Sequence, residues 1–321
     1  MTSKFTIGFK SNEYLPDGIK HFLSNKGIKN LDNPDFGHYK NARILGWGFH
    51  NSHTYKKYLH ILFRNSSFYP KSMLVKKNWV SQNKHKTNEF INNEKYIVKY
   101  DKGKSGKNIF IVKNADEIIN KINNEFWILQ KAIEPVLFNE NKFDLRIFHF
   151  ILRYGNSYYN ILSKVGYVKT SIHKYDKNSS SPYGFLTNIT FNNGKGKQHM
   201  FDFFDFMNNF EKNEQKRKDT ILKIYNVIRE YSALIVKNYK PNNLPAQMMI
   251  YGPDIILDKN FNPYLLETNC SPGILIPGEI IYNKQKLMLE ELMENIITPI
   301  LQKNINLEEY VGKLLFIEKI V

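Results

Sequence analysis

The sequence predicts an α+β protein of more than one unit, and three observations carry that expectation. A chain of 321 residues exceeds the roughly 100–200 residues of an ordinary domain. With 42% hydrophobic and 24% charged residues it can bury a real core, which sets it apart from disordered and low-complexity chains. Along it, short β-rich runs bounded by Gly, Pro and Asn alternate with longer helical stretches, without an internal repeat or a long linker.

Taken in order, residues 1–67 mix short strand-like and helical segments and form a first, basic unit. Phe68-Tyr-Pro70 marks a boundary, because proline disfavours helix before it. Lys95–Lys99 and Asn108–Val112 read as two strands, and Gly103 and Gly106 between them give a flexible hairpin connection. Asn114, followed by Asp116 and Glu117, reads as the cap of a helix running to about Glu125, ahead of the apolar run Phe126–Leu129. This second unit spans residues 68–137. In the third, residues 138–321, strands are expected at Phe143–Leu152, Tyr158–Val168 and Phe185–Phe191. A long helix from Glu211 to Asn238, stopped by Pro241, a further strand pair and a helix at Lys284–Ile297 complete it.

Composition narrows the function. The 46 Lys and Arg outnumber the 30 Asp and Glu to give +16, a field that attracts nucleic acid, acidic membrane surfaces or acidic polypeptides. The first 90 residues hold 15 basic and 5 acidic side chains, which suggests a docking surface apart from any catalytic centre, or else compositional drift in an Asn-, Lys- and Ile-rich chain. No run approaches the roughly 18 apolar residues of a membrane span, and the N-terminus lacks the apolar segment of a signal peptide. The single cysteine, Cys270, cannot form an internal disulfide, so a reducing, cytoplasmic setting is expected.

The most informative stretch is the second strand pair. Gln247–Leu257 and Asn262–Asn269 flank Asp258-Lys-Asn-Phe, a polar connection suited to a tight turn in which Asp258 is structural. If the hairpin centres near Asn260 and Phe261, Asp254 and Glu267 face each other and Asn269 shares their face. Two anionic oxygen donors and one neutral one on a rigid element suit Mg²⁺, which wants hard ligands and open positions for phosphate. An ordinary solvated hairpin is the commoner fate of such a pair, but the apolar flanks Ile255, Ile256, Leu265 and Leu266 make unpaired burial costly.

Gly252-Pro-Asp254-Ile-Ile-Leu-Asp258 followed by Leu265-Leu-Glu267-Thr-Asn269-Cys-Ser-Pro272 resembles the signature of the tubulin-tyrosine ligase-like family of the ATP-grasp superfamily. Collinear blocks extend the likeness over residues 68 to about 275. They are Phe68-Tyr-Pro70, Ile97-Val-Lys99, the glycines Gly103 and Gly106, Gln130-Lys131, Lys142-Phe-Asp-Leu-Arg146 and Leu186-Thr-Asn188. The resemblance implies two α+β subdomains clamping ATP behind a small N-terminal domain, and ATP-dependent amide formation between a protein carboxylate and a free amino acid.

By the same resemblance, Lys99 contacts the α/β-phosphates, and the loop with Gly103, Ser105 and Gly106 covers them. Gln130, Lys131 and Ile133 lie at the adenine hinge. Asp254, Glu267 and Asn269 hold Mg²⁺, and Lys142, Arg146 and Lys169 serve the reaction centre. Read by themselves, Lys99 is more commonly a solvated edge lysine, Gln130 and Lys131 surface residues, and Arg146 a partner for Asp144, a pairing compatible with function. Gly103-Lys-Ser is not a P-loop, because Val98 stands where that motif needs a glycine.

The sequence also departs from the family pattern. Gly166-Tyr-Val-Lys169 carries lysine where the family has arginine, losing a bidentate fork. Cys270 follows Asn269 where glutamate-adding members tend to have histidine, and Pro253 and Phe185 are further differences. The expected function is an ATP- and Mg²⁺-dependent amino-acid ligase on an acidic protein acceptor such as a tubulin tail, with neither nucleic acid nor membrane as its partner. A ligase for a small peptide or metabolite and a non-catalytic basic binding protein are the alternatives.

Overall fold

The computed structural model describes residues 6–11, 22, 25, 29–30, 42–47, 55–103, 108–179, 183–187, 200–239, 246–269, 272–275, 280–302, 307 and 310–320. Among them two sheets form, a large one running from the first strand to the last and a small one inserted in the chain between.

The large sheet starts with β1 (Thr6–Ser11), β2 (Lys29–Asn30) and β3 (Ala42–Trp47), mutually parallel in the order β3-β1-β2. After helix α1 (Lys56–Phe63) the chain enters the small sheet, formed by β4 (Ser72–Val75), β5 (Tyr96–Tyr100), β6 (Ile109–Val112) and β7 (Trp127–Lys131). Its order is β4-β7-β5-β6, antiparallel throughout, with helices α2 (Lys77–Gln82), α3 (Lys84–Ile91) and α4 (Ala115–Lys121) interspersed. Strand alternation divides the small sheet's two faces. Tyr96, Val98, Trp127 and Leu129 pack with Val80, Ile91 and Ile118 of the helices, while Ile97, Lys99, Ile109 and Gln130 line the cleft on the other side.

The chain then returns to the large sheet through β8 (Leu137–Phe138), β9 (Asn141–Tyr154), β10 (Ser157–Thr170) and β11 (Met200–Asp202). Helices α5 (Phe203–Phe210) and α6 (Glu214–Lys237) follow, then the hairpin β12 (Ala246–Leu257) and β13 (Pro263–Asn269). Helix α7 (Tyr282–Leu292) runs through a π-turn, Met293–Ile297, into α8 (Thr298–Gln302), and β14 (Leu315–Lys319) closes the fold. β9 lies between β10 and β12, antiparallel to both, and β12 pairs in parallel with β3.

Both faces of this sheet are covered, so β12 is buried at all twelve positions and shows no polar alternation. On one face Phe148, Phe150, Leu152, Met248 and Ile250 pack against Met288, Leu292 and Ile296. On the other, Leu145, Ile147, Met249 and Tyr251 meet Ile224, Ile228 and Tyr231 of α6, with Leu59 and Phe63 of α1. Along β9, the face that carries Phe148, Phe150 and Leu152 carries Lys142, Asp144 and Arg146 nearer its start. The site lies there.

Several expectations need correction. The helix capped by Asn114, whose Oδ1 accepts the Glu117 N–H at 2.9 Å, ends at Lys121 and not near Glu125. Asn123 Oδ1 ends it by accepting from the Glu125 N–H and the Trp127 indole, an Asx turn that starts β7. The strand expected from Phe185 to Phe191 begins instead as a 3₁₀ turn, Tyr183–Phe185, and residues 188–191 lie outside the described residues. The long helix starts at Glu214, with Asn213 as its cap. Sequence reading missed α5: Asp202 caps the phenylalanine-rich segment, and Phe203, Phe206 and Met207 recur at helical spacing into the core. No helix among the described residues is long and apolar enough to cross a membrane.

His149 sits within the second of these cores. Its Nε2 meets the Tyr231 hydroxyl at 2.8 Å and its ring stacks on Tyr251. Burial pulls its pKa from 6.5 down to about 3. Below pH 6.5 the unfolded chain takes up a proton that the folded histidine refuses, so stability intact above that pH is withdrawn as pH falls toward about 3. At pH 5 the loss is about 2 kcal/mol. Urea unfolding of wild type and His149→Gln at pH 7 and pH 5 should differ in pH sensitivity by that amount, and equal sensitivity would show that the histidine titrates normally.

Candidate active site

The site is assembled by strand register. Tyr167 of β10 pairs with Arg146 of β9, Arg146 with Asp254 of β12, and Asp254 with Glu267 of β13, so four polar side chains form one row across four strands. The last pairing depends on a bulge. Ile255 opposes Leu265 and Asp254 opposes Glu267, which leaves Leu266 as an extra residue on β13. Without it Asp254 would face Leu266 and Glu267 would point to the opposite side. The expected confrontation of Asp254 with Glu267 is present, and Asp258 holds the turn by accepting the Asn260 and Asn262 N–H groups at 2.8 Å each.

Arg146 grips Asp254 with a side-on fork, Nε to Oδ1 at 2.7 Å and Nη2 to Oδ2 at 2.6 Å, and donates from Nη1 to the Tyr167 hydroxyl at 2.9 Å. Lys169 adds a second cation, Nζ to Asp254 Oδ2 at 3.1 Å. Burial alone would raise the Asp254 pKa, but Arg146 and Lys169 hold it well below the usual carboxylate range. Burial likewise opposes the charge on Arg146, yet Asp254, Tyr167 and Glu267 keep it firmly protonated. Arg146 therefore pairs with Asp254 and not with Asp144. Asp144 accepts from Lys142 at 2.6 Å and from the Thr187 hydroxyl of the Leu-Thr-Asn segment.

Two glycines leave room around Arg146, Gly252 for side chains and Gly166 for the backbone of the neighbouring strand. A Cβ on Gly252 would stand 2.6 Å from Pro272 Cβ and 3.2 Å from Arg146 Cδ, and one on Gly166 would stand 2.5 Å from the Arg146 carbonyl oxygen. This is the physical content of the Gly166-Tyr-Val-Lys169 segment: glycine for close approach, then Tyr167 and Lys169 on one face, both reaching the Arg146–Asp254 pair.

The facing wall comes from the small sheet. Lys99 Nζ donates to the buried Gln130 Oε1 at 2.8 Å. Burial, helped by nearby Lys56 and Lys142, pulls the Lys99 pKa down to about 8 against the attraction of Glu267 and Asp144. An ammonium so weakly held gains most from an anionic ligand. The Gln130 side chain is thus engaged with Lys99, and Lys131 pairs with Glu94 at 2.5 Å. Between the walls lies a cleft with about 740 Å³ of space including its mouth, bordered by Lys99, Gln130, Lys131, Ile133, Lys142 and Asp144, and by Asp254 and Glu267. Its apolar lining comes from Ile97, Ile109 and Ile111 on one side and Leu186, Ile256 and Leu266 on the other.

Arg146 and Lys169 reach this cleft through Asp254 and do not line it. Gly103 is at the root of the glycine-rich connection, while Ser105, Gly106, Asn188 and Cys270 lie outside the described residues. Sequence reading missed Lys56, whose Nζ stands 3.9 Å from Glu267 Oε2, and Tyr69, whose buried hydroxyl stands beside Gln130, Ser72 and Glu267. The cations Lys56, Lys99, Lys142, Arg146 and Lys169 exceed the three carboxylates Asp144, Asp254 and Glu267 by two charges, which favours a polyanionic ligand.

The donor set also fits a hard divalent cation. Glu267 has one cation within 4 Å among the described residues, Lys56. Asn269 gives its amide N–H₂ to the Gly252 carbonyl at 3.3 Å, so its amide oxygen is the atom it can offer a cation. Asp254 already carries two cationic partners and has only its remaining lone pairs to contribute. No group of three His, Cys, Asp or Glu suited to a metal occurs among the described residues.

Two sheets facing across a cleft that is apolar on its walls and charged at its base make an α+β fold of the ATP-grasp-like class. The chain belongs to the tubulin-tyrosine ligase family, whose sequence model matches residues 38–305. It is 30% identical over 221 residues to tubulin glycylase 3D of Tetrahymena thermophila, covering 63% of this chain and 21% of the relative. It is 26% identical over 274 residues to tubulin polyglutamylase TTLL7 of Mus musculus, covering 74% and 28%. With tubulin polyglutamylase ttll-5 of Caenorhabditis elegans the identity is 24% over 252 residues, covering 67% and 34%. The chain thus spans between about a fifth and a third of the length of these curated relatives.

Proposed function

We propose that the chain is an ATP- and Mg²⁺-dependent ligase that joins a free amino acid to a carboxylate of an acidic protein segment of the tubulin-tail kind. The observation that carries this reading is the four-strand row Tyr167–Arg146–Asp254–Glu267 at the base of a cleft with two surplus positive charges. Family membership and relatives that modify tubulin support it.

A carboxylate is a poor electrophile. Phosphorylation by ATP turns it into an acyl-phosphate, which an amine attacks to form the amide, releasing phosphate. Such transfer is mainly positioning and charge neutralisation. The apolar walls around Ile97, Ile109 and Leu266, with Gln130, Lys131 and Ile133, would hold the base. Lys99 would meet the polyphosphate from the small sheet, followed by the glycine-rich segment with Gly103, Ser105 and Gly106, and Lys142 would meet it from the large sheet. Arg146 and Lys169 hold Asp254 ionised and oriented, and they place positive charge behind the reacting centre. Glu267, Asp254 and Asn269 would hold Mg²⁺, which supplies charge neutralisation across the phosphate oxygens. The chain's net +16 favours an acidic acceptor.

Intact-protein mass spectrometry tests the proposal. Tubulin incubated with the chain, Mg-ATP and the twenty amino acids should gain the mass of one or more residues of a single amino acid, which also identifies the amino acid. No gain over a Glu267→Gln control, in a chain that binds ATP, would overturn the protein-acceptor reading.

A further inference from the structure

Helix α1 begins without a cap of its own. Tyr55, at the N-cap position, makes no side-chain bond to the first turn. The missing acceptor comes from 44 residues away, where Asp101 Oδ1 receives the Lys57 N–H at 2.7 Å. Asp101 is buried, and its own N–H is held by the Phe126 carbonyl at 3.1 Å, so this acceptor is fixed on the small sheet. A carboxylate at a helix start satisfies an orphan donor and lies favourably in the field of the peptide dipoles.

The preceding residue reaches the same turn with its side chain. Lys56 Nζ donates to the Gly103 carbonyl at 2.7 Å and lies 3.9 Å from Glu267 Oε2, with its side chain only 11% exposed. Gly103 is in turn tied to the Tyr100 carbonyl through its N–H at 3.0 Å. One ammonium thus joins three parts of the molecule: α1, the turn after β5 and the last strand of the carboxylate hairpin. It stands near Lys99 as well, since its charge depresses that lysine.

We propose that Lys56 is a positioning residue for the polyphosphate, fixing the Tyr100–Gly103 turn of the small sheet relative to Glu267 of the large one. This rests on the nucleotide-dependent reading above. Two walls from different sheets must keep one separation if groups on both are to grip a single chain of phosphates. Lys56 sets that separation by a hydrogen bond on one side and a charge pair on the other. Without it, Glu267 loses its cationic neighbour and the turn is ordered only when ligand binds, which costs affinity for the phosphates and leaves the base-binding walls untouched.

Calorimetric titration of the full chain tests this. Lys56→Met keeps the stem that packs in the interior and removes the charge. It should weaken Mg-ATP binding about tenfold or more, as expected for a lost charge-assisted bond, and leave adenosine affinity unchanged. Lys56→Arg should recover most of the loss. Equal weakening of ATP and adenosine would reveal a merely structural role and overturn the proposal, as would unchanged ATP affinity. If Lys56→Met does not fold, Asp101→Asn, which loosens the anchor of α1 at constant size, should give a smaller loss with the same preference for ATP over adenosine. A loss without that preference, or none, overturns the proposal. A wild-type chain that binds no ATP overturns the nucleotide reading, and this role with it.

Discussion

Replacing Arg146 with methionine will destabilise the fold by about 3–5 kcal/mol and remove ligase activity, because it strands a buried carboxylate. Asp254 is 3% exposed and takes two of its three cationic hydrogen bonds from this one guanidinium. Lys169 alone cannot satisfy both oxygens. The double variant Arg146→Met/Asp254→Leu should regain most of the stability, since replacing both members of a buried pair by apolar groups costs far less than removing one. Its activity should stay lost. Urea unfolding of the two single variants and the double variant closes the cycle, and a single Arg146→Met variant as stable as wild type would mean that the pair is not held as described.

Glu267→Gln will separate function from stability. Its carboxylate is partly exposed and, among the described residues, has one cation within 4 Å, Lys56 at 3.9 Å, so the fold should lose less than about 1 kcal/mol. Ligation should nevertheless fall by roughly two orders of magnitude or more, because the amide retains shape but not the charge a divalent cation needs. Thermal unfolding without ligand, set beside initial ligation rates over a range of Mg²⁺, reads both quantities. If activity survived at ordinary Mg²⁺, Glu267 would have no part in holding the metal. Asp254 and Glu267, opposed across one hairpin, thus differ in kind: the first is built into the protein's own ion-pair network, the second is partly exposed with Lys56 at 3.9 Å.

Much of this contrast could not be read from the sequence. The hairpin was legible because its turn is local: Asp258 and the residues after it bond within a span of four. That Asp254 and Glu267 meet was also legible, though not through the bulge at Leu266, which leaves no compositional mark. The partner of Arg146 was not legible, since strand alternation puts Asp144 and Arg146 on one face but is silent on the neighbouring strand, 108 residues away, that brings Asp254 closer. Lys56 was missed for the same reason. It lies on an ordinary amphipathic helix, and only the docking of α1 on Asp101 turns it toward Glu267. At Phe185 the strand expectation failed because β-branched and aromatic residues favour strands in general, whereas here Phe185 closes a 3₁₀ turn and meets the Tyr175 ring edge-on. Local rules found the elements, and long-range pairing chose among the charges.

The bulge at Leu266 has a consequence for how this protein can vary. Side chains on a strand change face at every step, so the position of Glu267 is a matter of parity and not of distance. Adding or removing a single residue between the Asp258 turn and Glu267 would put the apolar Leu266 or the buried, uncharged Thr268 in the place of the acid, whereas a change of two that kept the pairing would leave the acid where it is. The tolerance of this hairpin to insertion and deletion is therefore quantised in pairs, and the odd residue at Leu266 is what brings the sequence into phase with its chemistry.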